Sequence, residues 1–186
     1  MIKRKIRKLT PEELQILTSQ LMNRFLSSIH CERGNPFQEN EFQVIFEEFF
    51  LWRKSFFDRL IRVLNLKHQS TFNILRYQSQ ESDFITFLNG YKANADLSFQ
   101  DYKKLGSNIG FTINGFQFFL CDDSISWTIG TVVDVQFLSG DDDFFNFYFV
   151  SETEKKKTIK EFIMFIDRDD VRPNFRKMVT YIRRKP

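Results

Sequence analysis

The hydrophobic rhythm of this chain changes once, near residue 109, and that change limits the folds open to it. Before it, apolar residues recur at helical spacing. Leu14, Leu17, Leu21, Phe25 and Ile29 make one stripe, and Ile45, Phe49, Trp52, Phe56, Leu60 and Val63 make another. After it the period drops to two. Trp127, Ile129, Thr131, Val133, Val135 and Phe137 alternate with Thr128, Gly130, Val132, Asp134 and Gln136. A 3.6-residue period lines one face of a helix, and a period of two lines one face of a strand. A helical first half followed by a stranded second half predicts an α+β fold.

The helical half begins with a legible start signal. In Thr10-Pro11-Glu12-Glu13 the threonine hydroxyl can accept from the backbone N–H of Glu13, while Glu13 reaches back to the N–H of Thr10. Pro11 sits where a missing N–H costs nothing. The breaker Arg33-Gly34-Asn35-Pro36 ends this helix. A second helix is expected from about Gln38 to Leu66, widened by Phe42, Phe46, Phe50, Phe57, Ile61 and Leu64. The two make an N-terminal helical hairpin. Residues 67–96 are the least regular stretch. Short helices are expected there, with Asn89-Gly90 as a helix C-terminus and a strand over 84–88 as the alternative. Ser98 then caps a short helix, with Leu97 and Tyr102 as its hydrophobic staple, and Gly106 ends it.

The stranded half opens on Asn114-Gly115, which favours the positive φ angles of a two-residue hairpin turn. Strands are expected up to Leu120, over 127–137, over 144–150 and over 159–166. Polar turns at 122–124, 139–143 and 152–157 join them, and Gly130 reads as a bulge. Sequential strands then pair into a four- to five-stranded antiparallel meander. A last helix carries the stripe Phe175, Met178, Val179 and Ile182. The organisation read here is a flexible basic arm over 1–9 and one α+β domain over 10–186. That domain is mainly helical over 10–106, sheet over 107–167, and a basic C-terminal helix over 168–186.

Composition enters where function does. The chain has 24 phenylalanines in 186 residues, and Ala93 and Ala95 are its only alanines. If 144–150 and 159–166 are strands, adjacent apolar residues such as Phe144 and Phe145 point to opposite faces. The sheet then carries more apolar surface than the chain's own helices hide, and such surplus marks an interaction surface. Phe119, Phe144, Tyr148, Phe162 and Met164 are the candidate apolar interface. Its partner is another protein or a second copy of the chain.

Charge offers an alternative. Net charge is only +3, but the bases gather at the two ends. Lys3, Arg4, Lys5, Arg7 and Lys8, together with Arg176, Lys177, Arg183 and Arg184, form a candidate electrostatic clamp for nucleic acid.

Catalytic and metal chemistry find little support. The two cysteines and two histidines show no ligand spacing, because His30 and Cys31 are adjacent. No phosphate-binding glycine loop or nucleophile elbow occurs, and no cofactor is expected. A metal-dependent nuclease would draw on Asp134, Glu152, Glu154 and Lys156, yet these acids read more simply as solvated turns. No run of about 18 apolar residues suggests a membrane span. Glu12 and Glu13 follow the basic start where a secretory leader needs apolar residues. A reduced, cytoplasmic protein is expected. The function read from the sequence is a non-catalytic protein-binding module, either an adaptor or a subunit of a larger assembly. An inhibitor or immunity-type partner and a particle component both fall in that class. A nucleic-acid-binding accessory protein is the alternative.

Overall fold

A computed structural model describes residues 5–24, 43–48, 53–79, 85–109, 118–132 and 135–166. Among these residues, seven strands form one antiparallel sheet in the order β1-β4-β3-β5-β6-β7-β2. They are β1 (Ile6–Lys8), β2 (Gln43–Glu48), β3 (Thr71–Ser79), β4 (Ile85–Asn94), β5 (Phe118–Cys121), β6 (Trp127–Val132) and β7 (Val135–Gly140). Five helices accompany them: α1 (Pro11–Arg24), α2 (Lys54–Leu66), α3 (Phe99–Ile109), α4 (Asp142–Tyr148) and α5 (Glu152–Ile166). The α+β class and the antiparallel sheet hold, but several elements fall elsewhere than expected.

The helical hairpin does not form. Residues 43–48 of its expected second helix are β2, which pairs with β7 from Gln43 opposite Gly140 to Glu48 opposite Val135. A short apolar run such as Val44-Ile45-Phe46 fits either element, and the pairing partner decides. Residues 67–96 are not short helices. They hold β3 and β4, paired from Thr71 opposite Asn94 to Ser79 opposite Ile85, with a register shift at Arg76/Tyr77. Their alternation is hidden because Phe72, Asn73, Ile74 and Leu75 are all fully buried. A strand covered on both faces shows no polar side to read.

The stretch 127–137 is not one strand. It reverses between β6 and β7, so that Val132 lies opposite Val135 and Trp127 opposite Gly140. The expected strands at 144–150 and 159–166 are α4 and α5. In a helix, Phe144, Phe145 and Tyr148 occupy one broad face, so adjacent rings can both be buried. The Asn114-Gly115 turn, the end of the first helix near Gly34 and the helix over 168–186 lie outside the described residues.

The sheet has two covered faces. One row of side chains, Tyr91–Ile74–Leu120–Ile129–Leu138, crosses five strands. It joins Phe56, Phe57, Leu60, Val63 and Leu64 of α2, Tyr102 and Leu105 of α3, and Phe144, Phe145 and Tyr148 of α4 in one apolar core. Trp127 and Phe144 stack there, 5.7 Å apart and 3° from parallel. The next row points to the opposite face and reads Gly90–Leu75–Phe119–Gly130–Phe137. Leu9 and Leu14 close over Gly90, where an added Cβ would lie 2.6 Å from Leu9 and 3.1 Å from Leu14. Gly90 is therefore a close-approach glycine inside a strand, not a helix end. Gly130 is not a bulge either. The Phe137 ring occupies the place a Cβ would take, at 2.0 Å, and it meets Phe119 edge-on at 5.9 Å.

Two of the expected helix starts are present. Glu13 N–H donates to Thr10 Oγ1 at 3.2 Å and Thr10 N–H donates to Glu13 Oε2 at 3.0 Å. Asp101 N–H donates to Ser98 Oγ at 3.1 Å, although α3 runs past Gly106 to Ile109. No described helix is long and apolar enough to cross a membrane.

Candidate binding cleft

The two sequence-derived candidate surfaces fare differently from each other. Of the apolar set, Phe119, Phe144 and Tyr148 are fully buried and Phe162 is 2% exposed. Only Met164, at 62%, stands in solvent. The sheet-face docking surface is thus overturned, because the chain's own elements enclose these rings. The other large apolar residues exposed among the described residues, Ile16, Leu66, Leu88 and Val150, are single residues of an ordinary kind.

Of the basic set, Lys3, Arg4, Arg176, Lys177, Arg183 and Arg184 lie outside the described residues. The expected flexible arm is in part an edge strand, with Ile6 opposite Ala93 and Lys8 opposite Tyr91. Among its described residues, two charges are matched. Lys5 Nζ lies 3.1 Å from Asp96 Oδ2, and Arg7 donates through both terminal nitrogens to Glu13 at 2.6 and 2.7 Å. Lys8 is exposed. Arg7 and the N–H of Thr10 hold the Glu13 carboxyl down at about 2. Short basic edge strands also discourage pairing with other chains.

The structure describes the nuclease set only in part. Asp134 lies outside the described residues. Glu154 accepts from Arg59 at 2.7 Å and from Val150 N–H at 2.5 Å. Among the described residues, no three His, Cys, Asp or Glu side chains stand where they could hold a metal ion. Cys121 is buried and in no disulfide among the described residues.

The structure instead brings together groups that were read separately. Asp141 caps α4 by accepting from Phe144 N–H at 2.7 Å. At the other end of α4, Arg62 donates to the carbonyls of Phe147, at 2.7 Å, and of Tyr148. A cation suits the carbonyl end of a helix dipole. Three residues later Ser151 caps α5, accepting from Glu154 N–H at 3.1 Å. Glu154 then reaches α2 through Arg59, whose guanidinium lies over the Tyr148 ring at 5.4 Å and the Phe149 ring at 5.8 Å. One arginine thereby ties three helices, and its plane is held by ring contacts and an ion pair.

Beside this tie lies a cavity of about 490 Å³. The start of α2 contributes Arg53, Ser55, Phe56 and Arg59 to its wall. Gln136 of β7 and Tyr148 of α4 form the floor, and α5 supplies Thr158, Glu161, Phe162 and Phe165. Glu161 lies 3.6 Å from Lys157 one turn before it. Arg53 occupies the N-cap position of α2 and makes no side-chain cap bond, and the first turn of α2 contains no acid. The volume suits a ligand group or a bulky side chain of a partner.

Sequence reading missed every member of this cleft except Tyr148 and Phe162, which it took for sheet residues. The signal was present. Ser151-x-x-Glu154 is the same capping-box pattern as Thr10-x-x-Glu13, and it marks a helix start at 152. With that start, Thr158, Glu161, Phe162 and Phe165 fall on neighbouring turns of one helix. Comparison with protein-family models, with curated proteins and with solved structures gave no match to this chain.

Proposed function

We propose that the protein is a non-catalytic binding module that takes a partner protein in the cleft between α2, α4 and α5. The make-up of the wall carries this reading. Arg53 and Arg59 stand beside the rings of Phe56, Tyr148, Phe162 and Phe165. Arginine and aromatic residues are the types enriched at the energetic centres of protein interfaces. They are mounted on helices, so little freedom is lost when a partner docks. Apart from Gln136 of β7, the sheet has no part in this reading. Action in the cytoplasm, where the Cys121 thiol stays reduced, belongs to the same proposal.

The reading is tested by filling the cleft. Thr158 is half-buried on α5, so Thr158→Trp places a large ring in the space without removing a core side chain. Wild type and variant would be immobilised and compared for capture of protein partners after nuclease treatment. The expected result is a partner held by wild type and weakened about tenfold or more by the variant, the scale of one hot-spot contact. A partner retained equally by the variant, or lost on nuclease treatment, would count against the cleft.

A further inference from the structure

We infer that a second site, framed by the end of α2, the turn into β3 and the link from β4 to α3, binds the pyranose ring of a neutral saccharide. A cavity of about 600 Å³ opens there, within the size range of small-molecule sites. It shares no lining residue with the cleft between α2, α4 and α5, so this inference stands apart from the proposed function. Two features carry it: a committed backbone around uncommitted polar side chains, and a lining with its charge offset.

The backbone of the site is tied on every side. His68 N–H donates to Asn65 O at 3.1 Å and Gln69 N–H to Leu64 O at 2.8 Å, and His68 turns the chain at a φ of 55°. Ala95 N–H donates to Ser70 O at 2.8 Å, Asn94 N–H to Lys5 O at 2.9 Å and Leu97 N–H to Asn94 O at 3.2 Å. Gln69 is held at both ends of its amide, donating to Asp122 at 2.8 Å and accepting from Trp127 Nε1 at 2.9 Å. The side chains of Asn65, Ser70 and Asn94 line the cavity, and none of them makes a hydrogen bond among the described residues. Asn65 and Ser70 are exposed and Asn94 is half-buried, so water can reach them and a ligand can take its place. Polar groups mounted on a fixed backbone lose little freedom when they bind.

The lining selects the class of ligand. Among the described residues, Asp96 is the one charged residue of the lining. Lys5 Nζ lies 3.1 Å from its Oδ2 and donates to its carbonyl at 2.8 Å. With that charge offset, neither a phosphate nor an ammonium group is favoured. Two carboxamides and a hydroxyl offer donors and acceptors side by side. A sugar hydroxyl also does both, and one carboxamide can engage two neighbouring hydroxyls. Ile61 and Leu97 give the C–H face of a ring an apolar patch. An extended peptide would instead seek an open strand edge, and at this end β3 and β4 are paired with each other, Thr71 opposite Asn94.

The test titrates the full chain with the methyl pyranosides of glucose, galactose and mannose, which stand for a glycan end, and with the same sugars free. N-acetylalanine methylamide, inorganic phosphate and cyclohexanol are the comparison probes. The readout is the NMR signals of the Asn65 and Asn94 side-chain amides and of the Leu97 N–H, with affinity from the same titration. The expected result is that at least one pyranose, glycoside or free, shifts all of these signals. Its affinity, followed at Leu97, falls about three- to tenfold in Asn65→Ala and in Asn94→Ala. Asn65 is exposed on a helix, so its variant keeps the fold even where Asn94→Ala does not. Thr158→Trp leaves the affinity unchanged. No shift from any pyranose, or full affinity in Asn65→Ala, would overturn the inference. Equal binding by the methylamide, by phosphate or by cyclohexanol would overturn it as well, because the site would then read an amide, a charge or an apolar ring. A pyranose weakened by Thr158→Trp sits in the other cleft and also overturns it. Capture of a protein partner is read separately, so failure here leaves that reading untouched.

Discussion

The two faces of the sheet are built from the same strands and held by different physics. On the face toward α2, α3 and α4, side chains form a continuous aromatic layer in which Trp127, Phe144 and Tyr148 are all fully buried. On the α1 face a polar row intervenes. Arg7, Lys92, Asn73, Cys121, Thr128 and Ser139 are cross-strand neighbours over six strands. Lys92 and Asn73 both donate to Asp123 at 2.8 Å. Burial raises the Asp123 carboxyl, but these two hydrogen bonds more than offset it and its pKa is lowered. Thr128 Oγ1, on the same row, is buried with no hydrogen-bond partner among the described residues. The helical face is thus stabilised by contact area, and the α1 face by fitted rings over glycines and by hydrogen bonds.

The contrast can be broken by mutation. Phe144→Ala should have the largest effect, a loss of about 3–5 kcal/mol in urea unfolding, because a fully buried ring leaves a cavity under Trp127. Gly130→Ala on the other face comes next, at about 2–3 kcal/mol, since the Phe137 ring must move away from Phe119 to admit a methyl group. If Gly130→Ala were the costlier of the two, the helical face would not be the main store of stability.

Asp141→Ala and Thr10→Ala remove one helix cap on each side of the sheet. Each should cost about 1 kcal/mol. Equal losses would show that the difference between faces lies in packing and not in helix ends, and a several-fold inequality would contradict that. Thr128→Val should be neutral or stabilising by about 0.5 kcal/mol, because the hydroxyl makes no bond that valine would forfeit. A clear destabilisation in the same urea assay would mean that the hydroxyl has a partner.

The smallest effect is a pH dependence at the α1 edge. The Glu13 pKa is depressed from 4.5 to about 2 by Arg7 and Thr10. Its contribution is therefore present above the ordinary carboxylate range and is lost as pH falls from about 4.5 toward 2. The pair is exposed, so the slope should be small. Glu13→Gln should flatten it, and an unchanged slope in that variant would remove Glu13 from the account.

What could be read from sequence was local chemistry with a unique geometry. The Thr10 and Ser98 caps need only three residues, and both are present. The alternation starting at Trp127 marked a real strand. The errors arose where burial on every side removed the pattern. β3 is enclosed on both faces, so short helices were expected over its residues, although its Asn73 is a buried donor to Asp123. Phe144-Phe145 and Phe162-Ile163 looked like two faces of a strand because paired apolar residues also fit a wide helical stripe. The Ser151 capping box would have separated the two, and it was read as a turn because of its charge. The cleft was illegible for a further reason. Arg53, Arg59 and Phe165 become neighbours only once α5 is a helix packed near α2.

The account depends on the rings of Phe119, Phe144, Tyr148 and Phe162 being enclosed by the chain itself. Hydroxyl-radical footprinting tests this residue by residue. The enclosed core predicts that Phe119, Phe144, Tyr148 and Phe162 stay unmodified while Met164, 62% exposed, is oxidised rapidly. Modification of Phe144 or Tyr148 as fast as the half-buried Phe99 and Phe147 would contradict it and return those rings to an open surface.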